Sequence, residues 1–168
     1  MDPNQDLLTL RLRDIIPTPS GRLFVGVAIH KLIGQRLTIL LMRRSFFPPD
    51  RHKWEIPAGE VEATDNNVRE AISRIVYEQT GLGVYYIEDE LSSLNLSDDQ
   101  RYLVIQINFR VRVAAELETR VIAECNENDY MEAAWLTRGE IDDYDVRMRP
   151  AMDELIDEAF EACIEAEL

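Results

Sequence analysis

The stretch Trp54–Leu82 reads WEIPAGEVEATDNNVREAISRIVYEQTGL and contains the clearest structural pattern in this chain. It predicts a short strand, a glycine-containing loop and one helix that stops at Gly81. Asp65 and Asn66 are the expected helix caps, because short polar side chains accept hydrogen bonds from the first free backbone N–H groups. Apolar residues at three- and four-residue spacing predict a buried stripe along the helix. That stripe is Val68, Ala71, Ile72, Ile75 and Val76.

This stretch resembles a Nudix box, in which Gly is followed by five residues, Glu, seven residues, Arg-Glu, an apolar residue, any residue, Glu-Glu, any residue, Gly and an apolar residue. Trp54–Pro57 and Glu132–Leu136 also match segments that Nudix proteins carry before and after the box. The resemblance implies an α/β fold, a Nudix-like α/β/α sandwich with a mixed sheet between helices, and a single domain over residues 1–168. The matching box positions are Pro57, Gly59, Val61, Glu62, Arg74, Val76, Glu78, Gly81 and Leu82.

The spacing inside the box departs from the family pattern at one point. The interval from Gly59 to Gly81 is one residue longer than the pattern, and the extra residue falls near Thr64–Asn67. The loop Glu of the family therefore corresponds to either Asp65 or Asn66, and the sequence leaves both open.

Two carboxylate positions of the box are also changed. Ile75 stands where Glu follows Arg, and Gln79 replaces the second member of the Glu-Glu pair. The resemblance implies that these carboxylates hold the divalent cations that activate water and neutralise a diphosphate. Magnesium requires near-octahedral oxygen ligands, usually with one or two carboxylates. Ile75 offers no ligand atom and Gln79 only a neutral carbonyl, so we expect metal-dependent diphosphate hydrolysis to be lost or replaced by metal-independent acid/base chemistry, with no cofactor required.

The remaining acids support three functional hypotheses, with Glu62, Glu78 and Glu132 as the candidate catalytic residues. The first is a protein that acts on a small organic or nucleotide-like ligand without metal. The second is a Mg- or Mn-dependent hydrolase of a nucleoside diphosphate derivative, with Glu62 and Glu78 as metal ligands in a rearranged site. The third is a non-catalytic ligand-binding module. Glu70, Arg74 and Glu78 also form a four-spaced ladder that is typical of surface ion pairs.

Arg44, His52 and Trp54 are the candidate substrate-binding residues. Arg44 ends a predicted strand close to the box and can meet an anion, although a surface arginine is an equally good interpretation. His52 is a candidate proton carrier because it is a histidine, but it has no visible partner, so an exposed loop residue is the simpler interpretation. Trp54 can stack on a flat ligand, whereas large aromatic residues beside strands usually pack in the interior.

The rest of the chain alternates between predicted strands and helices. Arg22–Lys31 and Arg36–Arg44 predict a hairpin, and Leu103–Val113 predicts a strand with one core face and one face that is solvated or lines a polar pocket. A last helix begins near Pro150, with an acidic outer face. Further expected elements are an early strand at Leu7–Arg13, an extended segment at Gly83–Leu96, a strand at Tyr130–Leu136, a turn or short helix from Thr137, and an apolar stripe of Leu155, Ile156, Ala159, Phe160, Cys163 and Ile164 on the last helix.

The composition limits the partners. A net charge of -14 argues against binding to nucleic acid polymers or anionic membranes, but a local arginine cluster can still hold a small anion. The first residues are acidic and polar, unlike a signal peptide, and the apolar runs are too short to span a bilayer. Cys125 and Cys163 form neither a metal motif nor a disulfide framework. We therefore expect a cytoplasmic protein with a small-molecule ligand.

Overall fold

The computed structural model describes residues 21–44, 52–97, 103–113 and 130–166. The early strand expected at Leu7–Arg13 lies outside these ranges. None of the helices within them is long and apolar enough to cross a membrane. The described residues form β1 (Arg22–Ile33), β2 (Arg36–Arg44), β3 (Trp54–Glu55), β4 (Ala58–Glu60), α1 (Val68–Thr80), β5 (Val84–Asn95), β6 (Val104–Val113), β7 (Tyr130–Leu136), α2 (Arg138–Ile141) and α3 (Ala151–Ala166).

Strand β1 is the centre of a mixed sheet. Its residues Arg22–Ile29 pair in parallel with β6, and Phe24–Gly26 pair antiparallel with β4. Its last residues pair antiparallel with β2, so the predicted hairpin is confirmed. Gly34 and Gln35 both have positive φ angles, of 54° and 69°, as the tight turn of a twisted hairpin requires. The strand order within the described sheet is β3-β2-β1-β6-β5, with β4 on β1 and β7 on β2.

Two apolar clusters lie on the two faces of the sheet. On one face, α1 packs its predicted stripe against β1, β2 and β6, with Phe109 and Val27 fully buried. On the other face, α2 and α3 pack against Ile39, Leu41 and Trp54. This layering confirms the α/β/α sandwich with helices on both faces of a mixed sheet.

The polar face of β6 is buried from Gln106 to Arg110, so a solvated face, one of the two interpretations, is wrong for these residues, whereas Arg112 is exposed. Gln106, Asn108 and Arg110 are 1%, 0% and 4% exposed. Their polar groups are satisfied internally: Gln106 donates to Asn108 at 2.7 Å, and Arg110 reaches Cys163 of α3 at 3.5 Å. Helix α3 therefore covers the face of β6 on which the alternating residues are polar. By contrast, Ile164 belongs to the predicted stripe of α3 but is 57% exposed.

Replacing Gly26 with alanine is expected to destabilise the fold, because a Cβ atom there would lie 2.1 Å from Asn108 Oδ1 and 2.4 Å from Gln106 Nε2. Overpacking of this kind costs about 1–3 kcal/mol or more. Urea unfolding of Gly26→Ala measures the loss. Gly83→Ala is the matched control, since nothing lies within 4 Å of its added Cβ. Equal stability of the two variants would contradict the assigned packing.

Candidate functional site

The loop between β4 and α1 is closed by short-range hydrogen bonds. The cap of α1 is Asn67, whose side chain accepts from Glu70 N–H at 3.0 Å, so the expectation of Asp65 or Asn66 as the cap is wrong. Asn66 instead donates its side-chain N–H to Glu70 at 3.0 Å. The helix ends at Gly81, which has a φ of 71° and donates to Tyr77 O at 2.8 Å.

Arg74 is the centre of the site. Its Nε donates to Asp65 Oδ1 at 2.9 Å and its second terminal nitrogen to Asp65 Oδ2 at 2.7 Å, a bidentate pair. That second nitrogen also donates to Glu60 O at 2.9 Å, and the first terminal nitrogen lies 3.0 Å from Glu78 and 3.4 Å from Glu62. One guanidinium thus joins β4, the loop and α1.

Asp65 and Asn66, the two candidates for the loop Glu of the box, have different partners. Asp65 holds Arg74, whereas Asn66 bonds only within the capping turn. The Glu70–Arg74–Glu78 ladder forms only in its second half, because Glu70 is used by Asn66.

Burial and pairing shift the pKa of the Asp65 carboxyl in opposite directions. Burial disfavours its charged form, but the hydrogen bonds from Arg74 and from the backbone N–H of Glu62 outweigh this, so the pKa of Asp65 lies below its usual value. The same pair raises the pKa of Arg74 far above its usual value. Both groups are therefore charged throughout the physiological range.

Ile75 and Gln79 lie on the buried face of α1, as the helical spacing predicts. They are 1% and 6% exposed. A Cβ on Gly59 would lie 3.0 Å from Ile75 and 3.4 Å from Gln79, so these two side chains fill the space beside the glycine. Gln79 donates to Ala58 O, while its buried Oε1 has no hydrogen-bond partner among the described residues.

The described residues do not fit the divalent cation that the box implies. They contain no group of three or more His, Cys, Asp or Glu side chains placed to hold a metal ion. Glu62 and Glu78 come together, but around the guanidinium of Arg74, and about half of each side chain is exposed. A hard cation needs a shell of oxygen ligands, whereas Ile75 offers none and Gln79 offers only a neutral carbonyl.

Glu132 is not brought to this group. On β7, Glu132 pairs with Arg43 of β2 at 2.9 Å. Of the next two residues, Ala133 packs with the α1-side cluster and Ala134 packs with the α3-side cluster. Because side chains alternate along a strand, Glu132 lies on the face opposite α1. Its role as a third acid beside Glu62 and Glu78 has no support from this placement.

Arg44, His52 and Trp54 come together where β2 meets β3. His52 N–H donates to Arg44 O at 3.0 Å, and His52 is exposed, with a φ of 67°. Trp54 is 7% exposed and packs edge-to-face with Tyr144, with 5.0 Å between ring centroids. The burial of Trp54 supports packing in the interior, the alternative to stacking on a ligand.

A buried acid beside Arg44 was not identified from the sequence. The Glu55 side chain is 2% exposed and lies 3.5 Å from Arg44 and 2.8 Å from Arg147. Trp54–Pro57 matches a segment that Nudix proteins carry, but this match does not indicate the partners of Glu55. One of them, Arg147, lies in a turn far along the chain.

Asp65→Asn is expected to lower the free energy of unfolding by about 1.5–3 kcal/mol at about pH 7, because it breaks a charged hydrogen-bonded pair with little exposure. Since the folded pKa lies below the 3.8 of a free aspartate, this contribution is present above that value. It fades as the pH falls through the folded pKa. Urea unfolding of Asp65→Asn and wild type across this range should show the difference shrinking in acid.

Glu62→Gln is the matched control for that titration, because it removes a half-exposed acid from the same guanidinium. Its effect should stay within about 0.5 kcal/mol at every pH. A pH-independent loss in Asp65→Asn would argue against the ion pair as the source of stability.

Comparison with known proteins identifies the family and the fold. A family model described as NUDIX domain matches residues 22–159. No curated protein matches the sequence. The NUDIX domain of Shewanella oneidensis NrtR, in complex with ADP ribose, has a similar structure, with a TM-score of 0.66 and 19% identity over 97% of this chain and 99% of that chain.

Two further structures have the same fold. A NUDIX hydrolase from Nitrosomonas europaea matches with a TM-score of 0.66 and 19% identity, over 84% of this chain and 90% of that chain. Shewanella oneidensis NrtR complexed with a 27mer DNA matches with a TM-score of 0.68 and 18% identity, over 85% of this chain; this chain spans 62% of that protein. At these identities the structural likeness shows the fold alone, and the family follows from the sequence model: the chain belongs to the Nudix family.

Proposed function

We propose that this chain is a Nudix-family protein that binds a small organic or nucleotide-like ligand and has lost metal-dependent diphosphate hydrolysis. The observation that carries the proposal is the burial of Ile75 and Gln79, which are 1% and 6% exposed and provide no carboxylate on the inner face of α1. Ile75 and Gln79 pack beside Gly59 in the positions where the family resemblance implies metal-binding carboxylates.

Arg74 cannot perform the chemistry of a divalent cation. A bound metal ion polarises a phosphoryl oxygen and lowers the pKa of its water to generate a nucleophile. A guanidinium donates hydrogen bonds but binds no hydroxide as a ligand, and all of its nitrogens here already face protein acceptors. Any remaining reaction would be metal-independent, with Glu62 or Glu78 accepting a proton from an organic ligand.

The ligand class rests on two supports. The similar NrtR domain was crystallised with ADP ribose, a nucleoside diphosphate derivative. In this chain, the exposed His52 donates its backbone N–H to Arg44 O, and the Arg44 side chain, whose guanidinium lies 3.5 Å from Glu55, is 20% exposed; imidazolium and guanidinium groups both interact with anions. We therefore take ADP-ribose as the first probe and propose Arg44 and His52 as contacts of the ligand.

Binding without turnover is the expected outcome for ADP-ribose in the presence of EDTA. A ligand at about one hundred times its dissociation constant stabilises the fold by about 2.7 kcal/mol, which raises the midpoint of thermal unfolding by about 5–10 °C. Phosphate-containing products are measured in parallel with magnesium or manganese. His52→Asn, which tolerates the positive φ, should weaken binding without changing stability.

Metal-dependent release of a phosphate product that disappears in Glu78→Gln would overturn the loss of hydrolysis. The same result would support the rearranged hydrolase site instead. If ADP-ribose and a panel of nucleoside diphosphate derivatives leave the unfolding temperature unchanged, the ligand class is wrong.

Ile75→Glu tests whether one buried side chain excludes the metal. Magnesium should raise the unfolding temperature of Ile75→Glu, by about 2–4 °C for each kcal/mol of binding, because a carboxylate is then introduced beside Gly59, three residues before Glu78 on α1. Ile75→Gln is the matched control of equal size without charge, and neither it nor the wild type should respond. A magnesium response in the wild type would show that a cation site is already present.

A further inference from the structure

A cavity of about 320 Å³ lies between β5 and α3, on the face of the sheet opposite α1. Its size falls at the lower end of the range for small-molecule sites. Leu94 and Leu155 provide apolar lining, and Ser92 and Asn95 provide polar groups. The cavity is far larger than a bare metal ion requires, and its chemistry is that of an organic ligand.

The charge of the cavity comes from Glu154 and Glu158, one turn apart on α3. Within the described residues, neither carboxylate forms a salt bridge, whereas the adjacent Asp153 and Asp157 are each paired with an arginine. The lining of the cavity includes no basic side chain. The two pairs on the neighbouring side of α3 are Arg149–Asp153 and Arg138–Asp157.

The rim of the cavity is held in place by buried groups. Ser92 N–H donates to Glu158 at 2.9 Å, and Ser92 O accepts from Asn108 Nδ2 at 2.8 Å. Asn108 is fully buried and is supported by Gln106. The buried polar face of β6 therefore fixes the backbone that lines the cavity, which reduces the ordering cost of binding.

We propose that this cavity binds an organic cation, an alkylammonium group on an aliphatic stem. The ammonium group donates to Glu154 and to the free lone pairs of Glu158, while the stem lies against the partly exposed Met148 and Ala151. The same chemistry can come from a free alkyl diamine or from the lysine side chain of a partner. The site shares no residue with the Arg74 group, so its test is independent of the proposed function.

Isothermal titration with cadaverine, and separately with Nα-acetyl-lysine amide, tests the site at about 150 mM salt, where long-range attraction is screened. Binding of cadaverine should weaken about tenfold or more in Glu154→Gln/Glu158→Gln, because charged hydrogen bonds are lost. Pentanediol, the uncharged analogue, should not bind. Tight binding of cadaverine alone identifies a free amine, and binding of the lysine derivative identifies a partner side chain; either result supports the proposal.

Glu161→Gln/Glu165→Gln is the matched control, because it removes the same charge from exposed positions of the same helix outside the cavity lining. Its affinity for cadaverine should stay within about twofold of wild type. Equal weakening in the two double variants would show general attraction to an acidic protein and overturn the proposal, as would no binding of either amine. Since Glu158 also holds Ser92, the single variant Glu154→Gln provides the test if the double variant unfolds.

Discussion

The bidentate pair between Asp65 and Arg74 is the interaction on which the loop–helix unit depends. It fixes the loop against α1, and the additional bond from Arg74 to Glu60 O ties both to the end of β4. Asp65 is almost fully buried, so its charge requires this partner. The loop geometry therefore follows from one guanidinium placed at the junction of a strand, a turn and a helix.

The same guanidinium pairs with the two half-exposed acids of the site. Glu62 and Glu78 both lie within ion-pair distance of Arg74, and on its inner side the helix presents Ile75 and Gln79 to Gly59. Apolar packing stabilises the α1 interface but provides no oxygen ligands. The site thus combines acids paired with Arg74 at its surface with an inner wall of Ile75 and Gln79 beside Gly59.

The sheet separates two regions with different chemistry. The α1 face carries the guanidinium-centred group, and the α3 face carries the buried polar row of β6 and the acidic cavity. Glu132 and Trp54 belong to the second face, although the sequence placed them with the box residues as site candidates. Because the sheet lies between the two regions, a substitution in one region makes no direct contact with the other.

Much of the local structure follows from residue spacing alone. The hairpin, β6, β7, α1 and the burial of Ile75 and Gln79 are determined by periodicity and turn residues, which act between neighbours in the chain. The partner of Arg74, the burial of Gln106 and Asn108, and the face occupied by Glu132 depend on strand pairing and on which helix covers each face. These are contacts between residues distant in the chain, and no short-range pattern encodes them.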